Sequence, residues 1–439
     1  MRTKTIVPVA TFKALFQELI PSPGIPALLR RWGVRRRCPP KVSAAELIRG
    51  LVFHAVAEAG TLAQHVKQLT GKSITDGALA QRRALLPAEL FEQLMSAALR
   101  TKAVPEQHPD AFYHGLRLCG VDGSLFSVTN TPQVKKQMRK ARSRRGRAAF
   151  PKVGAAVMVE LGVHNPLAAA LGAKGESEMV LAKRVLAAQP QESLLINDRY
   201  YGVAEVLVSL PGKGKRHFMA RVKKNLKRRL LEVYPDGSAL VEIRSGKQTR
   251  LVREILGRVQ RGGRGPVTTV RLWTSLLDWA KHPAAELLAL YGRRWEQEVF
   301  YKELKVDMRS TPYLQSHTPL TAIQEIAALI LAYAVLVDYR VEAASVGELG
   351  VLRISFLKTL QVVQGLWKFL ELSGDLLNPA QVRLLVRRAL RQIAQMAIPK
   401  RRARSCPRAL RQPVSSWPRL RKNTYRKGAL DYSVGEIYA

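Results

Sequence analysis

The sequence predicts an α/β fold, a strand-rich centre between helical regions at either end. Three observations predict it. Up to about residue 108, apolar residues recur at three- and four-residue spacing, the period of amphipathic helices. From Leu116 the pattern turns into short β-type runs bounded by turn residues. Beyond Pro283, long helical patterns return, at roughly 321–343, 354–371 and 379–396.

The helical N-terminal part has two clear amphipathic stretches, 43–58 with Ser43 as N-cap, and 87–99. Between them, ITDGALAQRRALLP reads as a turn and a recognition-type helix with Arg82 and Arg83 exposed. Taken alone, an arginine pair of this kind is equally a solvated helix face.

Next come the strands. LRLCGVDGSLFSV is a β-rich run ending in a turn; within it Asp122 ends the apolar stretch LCGV and is followed by Gly123 and Ser124, where the backbone can turn. PKVGAAVMVELGV and PLAAALGA follow, with His164-Asn165-Pro166 turning between them. A helix is expected over about 176–188. SLLINDRYY is a short buried strand with polar residues at its end, GVAEVLVSL a helix and RHFMARVK a further strand. The order β-β-β-α-β-α-β is that of a ribonuclease-H-like fold. Residues 222–280 interrupt it with ALVEIRSG, TRLVREILG and VTTVRLWTSLL, separated by Gly-rich turns, and read as a β-rich insertion. The next helix starts at Pro283, a favoured first-turn residue. Gly292 inside it costs about 1 kcal/mol relative to alanine and admits close packing. The organisation expected is therefore a helical N-terminal domain (1–108), the first part of the core (109–221), the β-rich insertion (222–280), the rest of the core (281–345) and a helical C-terminal region with a basic tail (346–439).

Composition bounds the function. The chain has 439 residues, 47% of them hydrophobic, enough for two or three domains. Its 72 Lys and Arg against 33 Asp and Glu give a net charge of +39, which repels itself unless a polyanion neutralises it. Nucleic acid is the first candidate and an anionic membrane surface the next. Residues 135–152 carry nine Lys or Arg and no acid, and 400–427 carry eleven and no acid; both are assigned to phosphate-backbone contact. The best apolar run, 326–337, is too short to span a bilayer. With no secretory cleavage pattern in the N-terminal sequence, a cytoplasmic protein is expected. Three scattered cysteines, Cys38, Cys119 and Cys406, indicate neither a disulfide framework nor a zinc site. His114, His164, His217 and His282 share no metal-ligand spacing and read as satisfied core or surface histidines. No Gly-x4-Gly-Lys-Ser/Thr loop occurs.

The chemistry concentrates in YGRRWEQEVFYKELK, residues 291–305, where Tyr291, Arg294, Glu298 and Lys305 lie at offsets 0, 3, 7 and 14. At about 100° per residue these four fall within roughly 60° of one another on an α-helix, whereas Glu296, Glu303 and Asp307 lie about 120–160° from Tyr291. One carboxylate among phosphate-binding side chains suits metal-dependent phosphoryl transfer. Such a site needs further acids at the ends of neighbouring central strands, holding ions about 3.5–4 Å apart. Asp122 and Asp198 fit that place in the pattern. Each has a plainer reading: Asp122 as a turn residue before glycine, Asp198 as a helix cap, Glu298 as a surface acid paired with Arg294 or Lys302.

Tyr-x2-Arg-x3-Glu-x6-Lys is the signature of the insertion sequence four family of bacterial transposases, and the chain resembles that family without a gap or substitution in the motif. Asp122 in an Asp-Gly context and Asp198 in an Asp-Arg context match the family's other two acids. The resemblance spans roughly residues 20–427, but its specific motifs are confined to these positions. It implies a ribonuclease-H-like core whose Asp122, Asp198 and Glu298 are the catalytic and metal-binding triad. The metal would be Mg²⁺, with Mn²⁺ able to substitute. It implies DNA contacts from Tyr291, Arg294, Lys302 and Lys305, and a base-stacking role for Trp273 in RLWTSLL, which is as readily an ordinary core tryptophan. The partners implied are double-stranded DNA, as element ends and as target, and a second copy in a paired-end complex, with no membrane; the setting is the bacterial nucleoid. Two rivals stay open: a ribonuclease-H-like nuclease that cuts without joining, and a repurposed, non-catalytic DNA-binding protein.

Overall fold

A computed structural model of the chain describes residues 24–31, 40–57, 60–138, 140, 142–143, 146–147, 149–172, 175–211, 215–261, 267–309, 311–373, 376–399, 404–405, 426–427 and 430–434. Most of the basic segment 400–427 and part of 135–152 lie outside the described residues.

At the centre, strand β1 (Leu116–Ser127) pairs antiparallel with β2 (Lys152–Glu160), which pairs antiparallel with β3 (Asn165–Leu171). On its other side β1 pairs in parallel with β4 (Ser193–Asn197), and β4 in parallel with β5 (Arg216–Arg221). The strand order is thus β3-β2-β1-β4-β5, with the three inner strands β1, β4 and β5 parallel. Strands of this kind are buried on both faces, as the fully buried run Ser193–Asn197 shows. Crossover helices α6 (Glu178–Leu186, N-capped by Ser177) and α7 (Ala204–Ser209) follow β3 and β4. Period-two alternation sends Cys119, Val121 and Leu195 into a cluster with Leu181, Val185, Val206 and Leu207 of those helices. Leu118, Leu194 and Ile196 face the opposite way, onto Leu287 and Leu288 of helix α8 (Ala284–Leu290).

Two expectations change here. β1 does not end at Asp122; it continues to Ser127, because β2 keeps pairing with it as far as Ser127↔Lys152 after β4 has stopped at Gly120↔Ile196. The region 222–280 supplies β6 (Arg229–Val233), β7 (Ala239–Ser245), β8 (Gln248–Arg261) and β9 (Thr268–Thr274), which do not form a separate sheet. β9 pairs with β5 from Leu272↔Arg221 to Thr274↔Met219, so the sheet runs on as β5-β9-β8-β7-β6. β10 (Leu430–Val434), in a region expected to be helical, pairs antiparallel with β8.

The N-terminal helices α1 (Gly24–Arg31), α2 (Ala44–His54), α3 (Leu62–Thr70), α4 (Asp76–Arg83) and α5 (Ala88–Ala98) share one apolar cluster with α10 (Pro319–Val346), α11 (Phe356–Ser373) and α12 (Pro379–Gln395). Ser43 and Glu46 close the expected capping box on α2. Long and apolar, α10 has the composition of a membrane span, yet 83% of its most apolar window is buried inside the molecule; it is the core helix. Arg83 is not displayed on a recognition surface. Its guanidinium donates to Gln324 Oε1 and to the carbonyl of Thr321 in the first turn of α10.

Candidate active site

Asp122 stands two residues past the last parallel pair of β1 with β4, Gly120↔Ile196, and Asp198 directly follows the carboxyl end of β4, the side on which open α/β sheets bind their ligands. Alternation puts both on the sheet face that carries α8. Asp122 Oδ1 accepts the Gly123 N–H at 2.9 Å, and its carbonyl accepts the Tyr301 hydroxyl at 2.8 Å. Burial pushes the Asp122 carboxyl up to about 7, and although the Gly123 N–H opposes this, the Asp198 and Glu178 charges add to it. Asp198 Oδ1 accepts the Tyr200 N–H at 2.7 Å in a tight local turn. Neither aspartate has a Lys or Arg nitrogen within 4.0 Å among the described residues.

The signature segment is not one uniform helix. A 3₁₀ turn spans Tyr291–Arg294, α9 spans Trp295–Lys302, and a π turn spans Glu303–Asp307. Gly292 therefore sits in a tightened turn rather than in an α-helix. Gly120 lets the segment approach β1: a Cβ there would come within 2.9 Å of Gln297 Oε1. Tyr291, Arg294 and Glu298 still meet. Arg294 Nη1 lies 2.9 Å from Glu298 Oε1, so the i,i+4 pair is formed. Burial draws the Arg294 guanidinium down, but Tyr291, Glu298 and Asp198 together hold it above its usual value. Arg294 also acts on Asp122. Its charge thus reaches both aspartates, while only Glu298 is paired with it directly.

Lys305 stands in the π turn. Its ammonium donates to Ser124 Oγ at 3.0 Å and to the Leu125 carbonyl at 2.9 Å, pinning β1 just past Asp122. Lys302 pairs with Asp307 at 2.7 Å, its side chain largely exposed. Trp273 is a correction. It is 0% exposed, its Nε1 donates to Glu254 Oε2 at 2.8 Å, and the Arg271 guanidinium lies 5.0 Å from its ring centre. Because β9 is an interior strand between β5 and β8, no ring face is open to a base. The exposed aromatics near the acids are Trp295, 57% accessible beside Arg294, and Tyr200 next to Asp198. Sequence reasoning singled out neither.

It also passed over the support beneath the segment. His164, at φ 57° in the turn between β2 and β3, is fully buried. Its Nε2 meets Glu296 Oε2 and its Nδ1 meets Glu303 Oε2, each at 2.9 Å. Glu303 also accepts the Tyr333 hydroxyl at 2.6 Å and pairs with Arg340 of α10 at 3.3 Å. Burial alone would lower the imidazole, but Glu303 and Glu296 hold it above its ordinary value. Glu303 would likewise be raised by burial; Arg340 and His164 bring it down to about 2. This network ties α9 to β2–β3 and to the core helix, and it occupies Glu296 and Glu303. Glu298, paired with Arg294, takes no part in this network.

An acidic site beside the ends of adjacent parallel strands, with an arginine next to it, is the kind of centre this arrangement defines. The sequence over residues 114–335 matches the family described as the transposase DDE domain. The chain therefore belongs to the DDE transposases, on the insertion sequence IS4 branch of that family. It is 26% identical over 377 residues, 80% of each chain, to the transposase InsG for insertion sequence element IS4 of Escherichia coli (strain K12). It is 27% identical over 190 residues to the putative transposase InsZ of the same organism, covering 43% of this chain and 60% of that one. A solved piggyBac transposase synaptic complex with hairpin DNA is similar to it at a TM-score of 0.43 and 11% identity, over 89% of this chain and 87% of the other.

Proposed function

We propose that this transposase binds the terminal inverted repeats of its own element and cleaves and transfers DNA strands there, using Asp122, Asp198 and Glu298 on a ribonuclease-H-like core. The observation that carries the reading is Arg294, paired with Glu298 at 2.9 Å and near enough to Asp122 and Asp198 for its charge to act on both. The strand order β3-β2-β1-β4-β5 supports the core assignment. The segmentation into a helical end-binding part, an interrupted core and a C-terminal region with a basic tail belongs to the same reading.

The two aspartates fit a hard divalent cation such as Mg²⁺ or Mn²⁺. They offer only oxygens, and their crowding is the kind a cation relieves. Glu298 is held by Arg294, and among the described residues no three acids or histidines stand close enough to grip an ion together. A DNA phosphate competes for Arg294, because a guanidinium takes phosphate as well as carboxylate in bidentate fashion. Engaging DNA would then free Glu298 to join the aspartates, so that the centre completes itself only on substrate. When bound, two metal ions activate water and stabilise the attacking and leaving oxygens of an in-line displacement. Tyr291 and Arg294 would hold the phosphate of the terminal strand, with Lys302 and Lys305 beyond them. Pairing two ends would require a homodimer.

The deciding experiment incubates the full chain with duplex carrying the element's ends, with and without Mg²⁺, and with a target plasmid. Metal-dependent nicking followed by joined products is expected. Nicking without joining would favour the simple nuclease, and binding without nicking a non-catalytic DNA-binding protein.

Two further outcomes follow. Arg294→Ala should lower yield of the paired-end complex at least tenfold while shifting the DNA-free melting temperature by no more than a few degrees, since a partly exposed ion pair contributes about 0–1 kcal/mol. A large melting shift would make Arg294 a structural residue. Replacing the Lys and Arg of 400–422 by Gln should flatten the salt dependence of DNA binding, by about 0.9 in the slope of log K against log salt for each phosphate no longer neutralised. An unchanged slope on both end and random duplexes would remove this segment from the DNA path.

A further inference from the structure

One buried carboxylate of the 222–280 region organises the turn that follows β5. Glu254, on β8, is 0% exposed. Its Oε2 accepts the Trp273 indole N–H at 2.8 Å and the Arg271 guanidinium, and its Oε1 accepts Arg228 Nε at 3.1 Å. Arg271, itself 7% exposed, donates from Nη1 to three carbonyls of the turn: Lys223 at 3.2 Å, Lys224 at 2.8 Å and Leu226 at 3.1 Å. Glu254 thus ties the turn down twice, through Arg271 on its carbonyls and through Arg228 just beyond it. With those carbonyls gathered inward, Lys223, Lys224 and Lys227 stand exposed. Arg228 and Arg229 pair with Glu254 and Glu242, whereas among the described residues the three lysines form no ion pair.

The turn lies on the edge of the sheet that carries the acids. β5 runs parallel to β4 with Asn197 opposite Ala220. Its last residue, Arg221, is therefore level with Asp198, one strand spacing of about 5 Å away. The two turns also touch. Gly202 donates its N–H to the Asp198 carbonyl at 3.2 Å and packs on the end of β5. A Cβ at Gly202 would stand 1.9 Å from the Arg221 carbonyl oxygen and 3.3 Å from Val222 Cα.

We propose that the turn Lys223–Leu226 is a phosphate-binding site for the DNA backbone beside the catalytic acids, with Lys223 and Lys224 as its contacts and Arg271 as the positioning residue that holds its shape. The proposal rests on the reading that DNA is cut at Asp122, Asp198 and Glu298. Lysine binds phosphate as a point charge and reads no base, so the site takes the backbone of whichever duplex crosses this edge, element end or target. A turn already held in place has less to order on binding.

The test measures binding of the full chain to end duplex and to random duplex of equal length at several salt concentrations, with DNA-free melting curves as the folding control. Replacing both Lys223 and Lys224 by Gln should flatten the slope of log K against log salt by roughly 1.8, about 0.9 for each of two phosphates. A loss confined to end duplex would assign the site to the element end, and a loss on both to any duplex. Arg271→Lys keeps the charge but cannot reach three carbonyls and Glu254 together, so it should flatten the slope in the same direction at unchanged net charge. A wild-type slope in Arg271→Lys would remove Arg271 as the positioning residue. If Arg271→Lys does not fold, the lysine variant decides: an unchanged slope there on both duplexes overturns the proposal. A wild-type chain that binds both duplexes yet never nicks end DNA would overturn the catalytic reading instead, and the slopes would still decide the turn.

Discussion

Replacing Asp122, Asp198 or Glu298 by alanine should each lower strand cleavage by at least about 10³-fold, on the order of 4 kcal/mol of barrier. The three effects should be similar in size and should not add in double variants, because ligands of one centre fail as a unit. Binding to end DNA should stay nearly intact, since the phosphate contacts come from the basic side chains. Glu296→Ala is the informative control. Its carboxylate faces His164 in the interior, so cleavage should fall only mildly, through a loosened segment. Gel-resolved nicking of end duplex under single-turnover conditions measures all four. An essential Glu296 with a dispensable Glu298 would show that the wrong face of the helix has been assigned to the acids.

The second large effect is on stability. Arg340→Met should destabilise the protein by about 3–5 kcal/mol, the cost of leaving a buried partner charge unpaired. Glu303 would keep only His164 and Tyr333 as partners. The network also has a signed pH dependence. The stabilisation from His164, whose folded value is raised above 6.5, is complete below 6.5 and is lost as pH rises through that raised value. The contribution of Glu303, lowered to about 2, is complete above its ordinary 4.5 and is lost only as pH falls toward 2. The wild-type melting temperature should therefore decline from pH 6.5 to 9, and His164→Asn, which keeps a residue tolerant of the left-handed backbone, should flatten that decline. Parallel profiles for the two proteins would mean that the imidazole stays neutral between its acids.

What the sequence made legible was local chemistry. Asp122, Asp198 and the spaced quartet could be picked out because residue type, order and spacing sit together on the chain. The α/β order from β1 to β5 was readable for the same reason, from buried strands separated by helical periods. What could not be read depends on partners distant in sequence. β1 runs through Asp122 because β2 goes on pairing with it. Trp273 is buried because β9 joins the main sheet beside β5, a pairing that no pattern within 222–280 announces. Arg83 turns inward because the start of α10, some 240 positions away, presents groups to it. A helical wheel of constant pitch assumed one uniform helix, whereas the backbone tightens at Tyr291 and widens at Glu303.

The most direct measurement is anomalous diffraction from a crystal of the full chain bound to element-end duplex and soaked in Mn²⁺. The account predicts Mn²⁺ density between Asp122 and Asp198, with Glu298 released from Arg294 and coordinating, and Arg294 on a DNA phosphate. Mn²⁺ bound elsewhere, or Glu298 still paired with Arg294 while cleavage proceeds in the crystal, would contradict it.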